Sequence, residues 1–139
     1  MPTIRPLEKT GVNRMLVALK ARGAWAEKTH GSAMQTRGLP DILGVYRVHV
    51  GAMAIGVTFA IEAKRTGVKG SRKNIEAAPE YLRVYVEQGA TELQAYHLYE
   101  IAQRNGFVAV CQTVEEALAV LDRIDAFVRE AAVTTRTRE

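Results

Sequence analysis

Two apolar, β-branched runs separated by only three residues constrain the fold of this chain more than any other feature. They are DILGVYRVHV at residues 41–50 and AIGVTFAIEAK at residues 54–64. Runs of this composition and length are typical of strands. The intervening GAM contains Gly51 and can reverse the chain, so the pair predicts a β-hairpin. In an antiparallel hairpin the start of the first strand lies beside the end of the second.

Helical and strand patterns flank this hairpin on both sides. Before it, residues 7–23 carry apolar residues at helical spacing and end in glycine, and residues 24–30 are compatible with a short strand. After it come a basic, glycine-containing loop at residues 66–74 and a helix over residues 75–89, with Pro79 tolerated only in its first turn.

The last third of the chain predicts a helix, a strand and a second helix. Residues 91–106 open with Thr91 and Gln94 in a capping-box pattern, and FVAVC at residues 107–111 reads as a buried strand. The helix from residue 113 opens with another capping box, and the tail at 133–139 is expected to fray. Helix and strand alternate here, so we predict an α/β fold with a mixed sheet and helices on both faces.

Composition sets wide limits on function. A chain of 139 residues fits a single domain, 1–139, and its one cysteine, Cys111, excludes an internal disulfide framework and a cysteine-based zinc cluster. The net charge of +4 is compatible with a polyanionic partner and equally with an ordinary solvated surface. The N-terminal residues lack the apolar stretch of a secretory signal, so we expect a cytoplasmic protein, or one acting in the host cytoplasm if it is phage-encoded.

Three residues with reactive side chains are predicted to meet at one end of the hairpin. Asp41 begins the first strand, and Glu62 and Lys64 end the second. Residues two apart in a strand point to the same face, so Glu62 and Lys64 should emerge side by side near Asp41. Two carboxylates suit Mg²⁺ or Mn²⁺, which acidify water and offset the charge that develops on a phosphate. The alternative is a surface ion pair at a strand end, which contributes little to stability.

Two further polar residues each have two readings. Glu8 falls on the apolar face of the first helix. It either marks the solvent-exposed, frayed end of that face or is an acid directed at an internal ion. Gln94 is either a capping residue or a polar ligand near the metal, at a helix N-terminus that also favours phosphate.

Taken in order, these residues resemble the signature of the PD-(D/E)XK nucleases, and within them the virus-type replication-repair nuclease (VRR-NUC) domain. Glu8 matches the glutamate of that family's first helix, residues 38–41 (GLPD) its second element, Glu62-Ala63-Lys64 its third and Gln94 its fourth. The similarity extends from Glu8 to about Leu121. The stretch from Lys64 to Gln94 departs from the family because it is long here.

The resemblance implies a restriction-endonuclease-like fold and a Mg²⁺- or Mn²⁺-dependent endonuclease that cuts DNA, with branched DNA such as Holliday junctions among its substrates. It implies catalytic roles for Asp41, Glu62, Lys64 and Gln94, metal ligation by Asp41, Glu62 and Glu8, and a homodimer. Twofold symmetry would let a small domain with one site cut two strands.

Basic residues near the motif are candidates for contacts with DNA phosphates, or else belong to a solvated loop. They are Arg37, Arg65, Lys69, Arg72 and Lys73. Two other functions remain open: a nuclease-like fold that only binds nucleic acid, and an unrelated α/β protein-interaction module in which the motif is incidental.

Overall fold

The predicted hairpin forms the centre of the sheet. The computed structural model describes the backbone of residues 4–29 and 37–138, and the side chains of residues 10–29 and 37–134. Its strands are β1 (Trp25–Lys28), β2 (Ile42–Val50), β3 (Met53–Ala63) and β4 (Phe107–Cys111), arranged in that order across the sheet. β2 pairs antiparallel with β1 and β3, whereas β4 pairs parallel with β3. The mixed α/β class predicted from the sequence is confirmed, and it is compatible with a restriction-endonuclease-like core.

One face of the sheet is covered by the first and last helices, α1 (Ile4–Ala21) and α5 (Val114–Arg138). Alternate residues of β3, namely Phe59, Ile61 and Ala63, point into this layer. There they pack with apolar residues of both helices, among them Met15, Leu19, Leu121 and Ile124. Cys111 is buried in the same layer, as predicted, and burial raises the pKa of its thiol to about 12.

The opposite face carries the other helices. These are α2 (Arg72–Ala77), a 3₁₀ turn at Glu80–Leu82, α3 (Arg83–Glu87) and α4 (Glu92–Gln103). Ala60 of β3 and Val108 and Val110 of β4 pack against them. Glu62 belongs to the same alternation as Ala60, so its side chain leaves β3 on this face.

The prediction of one helix over residues 75–89 is wrong, because Pro79 divides the segment. Ala78, immediately before the proline, is extended at φ −76° and ψ 147° and ends α2. The proline ring disfavours helical geometry at the preceding residue, and the chain resumes as a 3₁₀ turn and then as α3. α2 also begins earlier than expected, so Arg72 and Lys73 lie in its first turn instead of in a loop.

The last helix is long. α5 continues to Arg138, so the backbone of residues 133–138 is helical, and the fraying of this tail stays a prediction. Neither glycine nor proline occurs in residues 114–138, so nothing in the sequence interrupts the helix once it has begun. Within the described part of the chain, none of the helices combines the length and apolar character that crossing a membrane requires.

Candidate metal centre

Asp41 lies at the open end of the hairpin, where backbone groups on both sides hold it. Its Oδ2 accepts a hydrogen bond from the Ala63 backbone N–H at 2.8 Å. On the other side, the N–H of Thr29 donates to the Asp41 carbonyl at 2.9 Å, and the Thr29 hydroxyl donates to the Pro40 carbonyl at 2.7 Å. The carboxylate is therefore fixed against the end of β3, where the hairpin register places it.

Glu62 is the only buried charged residue in the described part of the chain, with 2 % of its surface exposed. Its Oε1 is enclosed and has no hydrogen-bond partner among the described residues. Burial, and after it the neighbouring Asp41, raise the pKa of Glu62 to about 9, while Lys64 lowers it. An enclosed carboxylate oxygen without a donor is costly, so this atom requires a proton or a cation.

Lys64 and Gln94 complete the group. The Lys64 ammonium lies 3.7 Å from Glu62 Oε2 and donates to Gln94 Oε1 at 3.1 Å. Gln94 Oε1 also accepts from the Thr91 backbone N–H at 2.9 Å, which confirms the capping role of Gln94, while its role as a metal ligand stays a prediction. The residue closes the capping box of α4 and contacts the lysine through the same oxygen.

The long stretch between Lys64 and Gln94 folds back onto the site instead of separating its two ends. Gly89, at φ +108°, lies so close to Lys64 that a Cβ there would be 3.7 Å from Lys64 Cγ and 2.8 Å from Val68 Cγ1. The chain then enters α4 beside Gly38, where a Cβ would lie 2.5 Å from Leu93 Cγ. Only glycine fits both positions without strain, because both combine a positive φ with a close neighbour.

The structure thus brings together Asp41, Glu62, Lys64 and Gln94, four of the five residues singled out from the sequence. The fifth, Glu8, lies on α1, but its side chain falls outside the described residues. Among the described side chains, no group of three or more His, Cys, Asp or Glu residues is placed to hold a metal. A cation at this site would have Asp41 and Glu62 as its ligands from the described residues.

This donor set fits Mg²⁺ or Mn²⁺. Both ions prefer hard oxygen ligands and commonly take one or two carboxylates, filling their remaining positions with water and substrate phosphate. The unpartnered Glu62 Oε1 is an oxygen that a cation would satisfy, and a bound cation would offset the repulsion between the two negative charges of Asp41 and Glu62.

Sequence reasoning missed the residues that hold this group in place. Thr29 anchors the backbone of Pro40 and Asp41, and the N–H of Ala63 anchors the Asp41 carboxylate. Thr29 follows the short strand β1, whose pairing with β2 ends at Lys28 opposite Ile42. The role of Thr29 could be found only from the pairing of β1 with β2, because a threonine after a strand has no distinctive sequence signal of its own.

The predicted DNA contacts differ in their surroundings. Arg37, Lys69, Arg72 and Lys73 are exposed, and Arg72 forms an ion pair with Glu76 on α2 at 3.1 Å. Arg65 is partly buried, and its Nε is enclosed without a hydrogen-bond partner among the described residues. Arg65 therefore differs from the other four, whose side chains are exposed.

Comparison with known proteins identified no relative of this chain. No protein-family model matches the chain, and neither the curated proteins nor the solved structures include a significant match.

Proposed function

We propose that this protein is a Mg²⁺- or Mn²⁺-dependent endodeoxyribonuclease of the PD-(D/E)XK type, similar to the VRR-NUC domain. It would hydrolyse phosphodiester bonds of DNA, including branched forms such as Holliday junctions. The observation that carries the proposal is the meeting of Asp41, Glu62, Lys64 and Gln94 around a buried carboxylate oxygen that lacks a partner.

The side chains of the site would have two roles: some would bind a cation, and one would donate hydrogen bonds to the phosphate or the attacking water. When bound, a divalent cation supplies a Lewis acid for the phosphate and acidifies water. Asp41 and Glu62 would hold it, with Asp41 kept rigid by the Ala63 N–H. The Lys64 ammonium, oriented by Gln94, would donate to a phosphate oxygen or to the attacking water as negative charge develops.

Binding of DNA would come from the cations around this end of the sheet. Arg37 precedes the turn at Gly38, and Lys69, Arg72 and Lys73 follow β3. Exposed lysines and arginines contact phosphates without reading base sequence, so this surface suits recognition of DNA shape. We also propose that the protein works as a homodimer.

The decisive experiment incubates the purified protein with linear, nicked and four-way-junction DNA in the presence of Mg²⁺, Mn²⁺ or EDTA. We expect cleavage with either cation and none with EDTA. Asp41→Asn and Glu62→Gln should abolish it. Asp122→Asn, which changes an exposed carboxylate on α5, serves as the matched control and should cleave normally. Cleavage that survives Asp41→Asn would overturn the proposed site.

One observation favours the alternative, a nuclease-like fold that binds nucleic acid without cutting it. With its pKa raised to about 9, Glu62 is protonated near neutral pH unless a cation displaces the proton. A chain that never binds a cation would keep a neutral Glu62. In that case Glu62→Gln would be unchanged in every assay of DNA binding and cleavage, whereas the nuclease should keep its DNA affinity and lose cleavage.

A further inference from the structure

A cavity of about 580 Å³ lies beside the candidate metal centre, on the face of the sheet covered by α1 and α5. α1 contributes Arg14, the chain leaving β3 contributes Lys64, Arg65 and Thr66, and the start of α5 contributes Thr113 and Glu115. Lys64 is common to both places, because it lines this cavity while its ammonium contacts Glu62 and Gln94. A group bound in the cavity would therefore be a close neighbour of a group bound at the metal centre.

Arg65 is placed at this cavity by a tethered turn. The Val68 N–H donates to the Arg65 carbonyl at 3.1 Å. Gln112, ahead of α5, accepts from the Gly67 N–H at 2.8 Å and donates to the Val68 carbonyl at 2.7 Å. These bonds tie the turn to the end of β4, so the backbone that carries Arg65 is fixed beside the cavity.

The described charges of the cavity are unbalanced. Neither Arg14 nor Arg65 has a salt bridge within the described residues, and Glu115 is the one carboxylate among the described residues that line the cavity. The enclosed Arg65 Nε lacks an acceptor among the described residues. A guanidinium without an acceptor is satisfied best by a planar pair of anionic oxygens, as in carboxylate or phosphate.

We propose that this cavity is a phosphate pocket that holds a backbone phosphate of DNA next to the one being cleaved. The proposal rests on the proposed nuclease function for the position of that phosphate relative to the cut. Arg65 would bind it through paired N–H groups and Arg14 would contact it from α1. The volume exceeds that of one phosphate, so part of the adjoining sugar also fits. A bound neighbour phosphate would set the register of the strand across Asp41 and Glu62.

The test measures equilibrium binding of duplex and four-way-junction DNA in EDTA, where cleavage plays no part. We expect Arg65→Gln and Arg14→Gln each to weaken binding about tenfold and to reduce the salt dependence by about one phosphate contact. Arg129→Gln, an exposed arginine on α5, is the control and should bind as the wild type does. Arg14 is itself exposed, so its variant does not threaten the fold.

A conservative variant distinguishes a pocket that binds phosphate through the paired donors of arginine from a surface that attracts DNA by charge alone. Arg65→Lys keeps the charge and loses the paired donors, so it should bind nearly as weakly as Arg65→Gln. Replacing single phosphates with neutral methylphosphonates should reveal one position next to the cut at which the wild type loses affinity and Arg65→Gln loses none. Wild-type affinity in Arg65→Gln, or full rescue by lysine, would overturn the pocket. Weakened binding by the variants of a protein that never cuts DNA would leave the pocket standing and refute the nuclease.

A second observation concerns the other end of the hairpin. β4 pairs only with residues Phe59 to Ala63 of β3. The first half of β3, residues 53–58, therefore has no strand on that side within the described part of the chain. Met53 and Ile55 in this half are 65 % and 37 % exposed. They border an apolar groove of about 820 Å³ whose far wall is α5, where Phe127 is 60 % exposed.

The character of the exposed edge indicates its occupant. The matching free edge of β2, residues 46–50, carries Arg47 and His49, and charged edges resist pairing with other strands. Residues 53–58 contain no charged or ionisable residue. Among the described residues that line the groove, the one cation is Arg104, which forms an ion pair with Glu100 at 3.2 Å, so these residues favour an apolar occupant.

We infer that this edge and groove bind a second copy of the chain. Two copies related by a twofold axis can pair residues 53–58 antiparallel with themselves, which satisfies the same backbone groups on both chains. Phe127 lines the groove beside this edge, so it would lie at the border of such an interface. The interface buries apolar surface that a monomer would leave in water.

Light scattering on the purified chain tests the interface, with an expected mass of twice the 15.3 kDa chain. Ile55→Lys and Phe127→Lys should each yield a monomer with an unchanged circular dichroism spectrum. Val84→Lys, at an exposed apolar residue on α3, is the control and should remain a dimer. A monomeric wild type at micromolar concentration, or a dimer that persists in both variants, would overturn this interface.

Discussion

The Lys64 ammonium donates to Gln94 Oε1 at 3.1 Å, although the two residues are 30 positions apart. The same oxygen accepts from the Thr91 N–H at 2.9 Å, so the first turn of α4 fixes the lysine that ends the hairpin. Lys64 keeps its own position through its backbone N–H, which donates to the Cys111 carbonyl of β4 at 2.9 Å. The backbone of Lys64 and its ammonium are thus each held by a hydrogen bond to a different element, β4 and α4.

Gln94→Ala should slow cleavage more than a variant that removes only the helix cap. Loss of the amide oxygen leaves Lys64 with Glu62 alone, and we expect single-turnover cleavage to fall about tenfold. Thr91→Ala is the matched variant, because it removes the other half of the same capping box. It should lower the free energy of unfolding by about 1 kcal/mol and leave the cleavage rate within about twofold. If the two variants cleave DNA at the same rate, the role of Gln94 is limited to capping α4.

Lys64→Ala should slow cleavage by at least about a hundredfold, because it removes the donor for charge that develops on the phosphate. Metal binding, measured by calorimetry with Mn²⁺, should persist, since both carboxylates remain. An unchanged cleavage rate would make Lys64 a surface cation without a catalytic role.

Asp41→Asn should abolish cleavage and weaken metal binding while leaving the fold intact. The asparagine carbonyl can still accept from the Ala63 N–H, so the end of the hairpin stays closed. We expect a melting temperature within a few degrees of the wild type, in contrast to a loss of cleavage beyond about a thousandfold. A large fall in melting temperature would show that the substitution broke the hairpin, and metal binding at wild-type affinity would remove Asp41 from the centre.

Without a divalent cation, the stability of the protein should fall as the pH rises from about 4.5 to about 9. Burial and the nearby Asp41 raise the pKa of Glu62 from 4.5 to about 9, so the folded state holds this proton after the unfolded chain has released it. The contribution is fully present below about pH 4.5, where both states are protonated, and is lost as the pH passes about 9.

Melting temperatures in EDTA across this pH range measure the effect, with Glu62→Gln as the reference that cannot titrate. The variant should match the wild type near pH 4.5 and exceed it by several degrees near pH 9. Mg²⁺ should raise the melting temperature of the wild type at the upper end of this range and not that of the variant. A difference between the two proteins that does not change with pH would contradict the buried, proton-binding Glu62.

Sequence patterns were sufficient wherever the signal was local. The hairpin, the strand at residues 107–111 and the capping box at Thr91 and Gln94 occur where the pattern predicts them, since strand alternation and cap chemistry are properties of a few neighbouring residues. The helix over residues 75–89 was predicted incorrectly because Pro79 was placed in its first turn, while the chain before the proline forms a helix of its own. Even so, hairpin pairing alone predicted that Asp41 would lie beside Glu62 and Lys64.

By itself the sequence determined the hairpin, and with it the approach of two carboxylates and a lysine, because antiparallel pairing converts position along the chain into proximity. The tertiary structure alone decided that Glu62 is buried with an unpartnered oxygen, that Gln94 reaches Lys64 across a long segment, and that Arg65 lines a cavity with Arg14. These features depend on how helices pack over the two faces of the sheet. Packing arises from contacts between residues far apart in the chain, which no local pattern encodes.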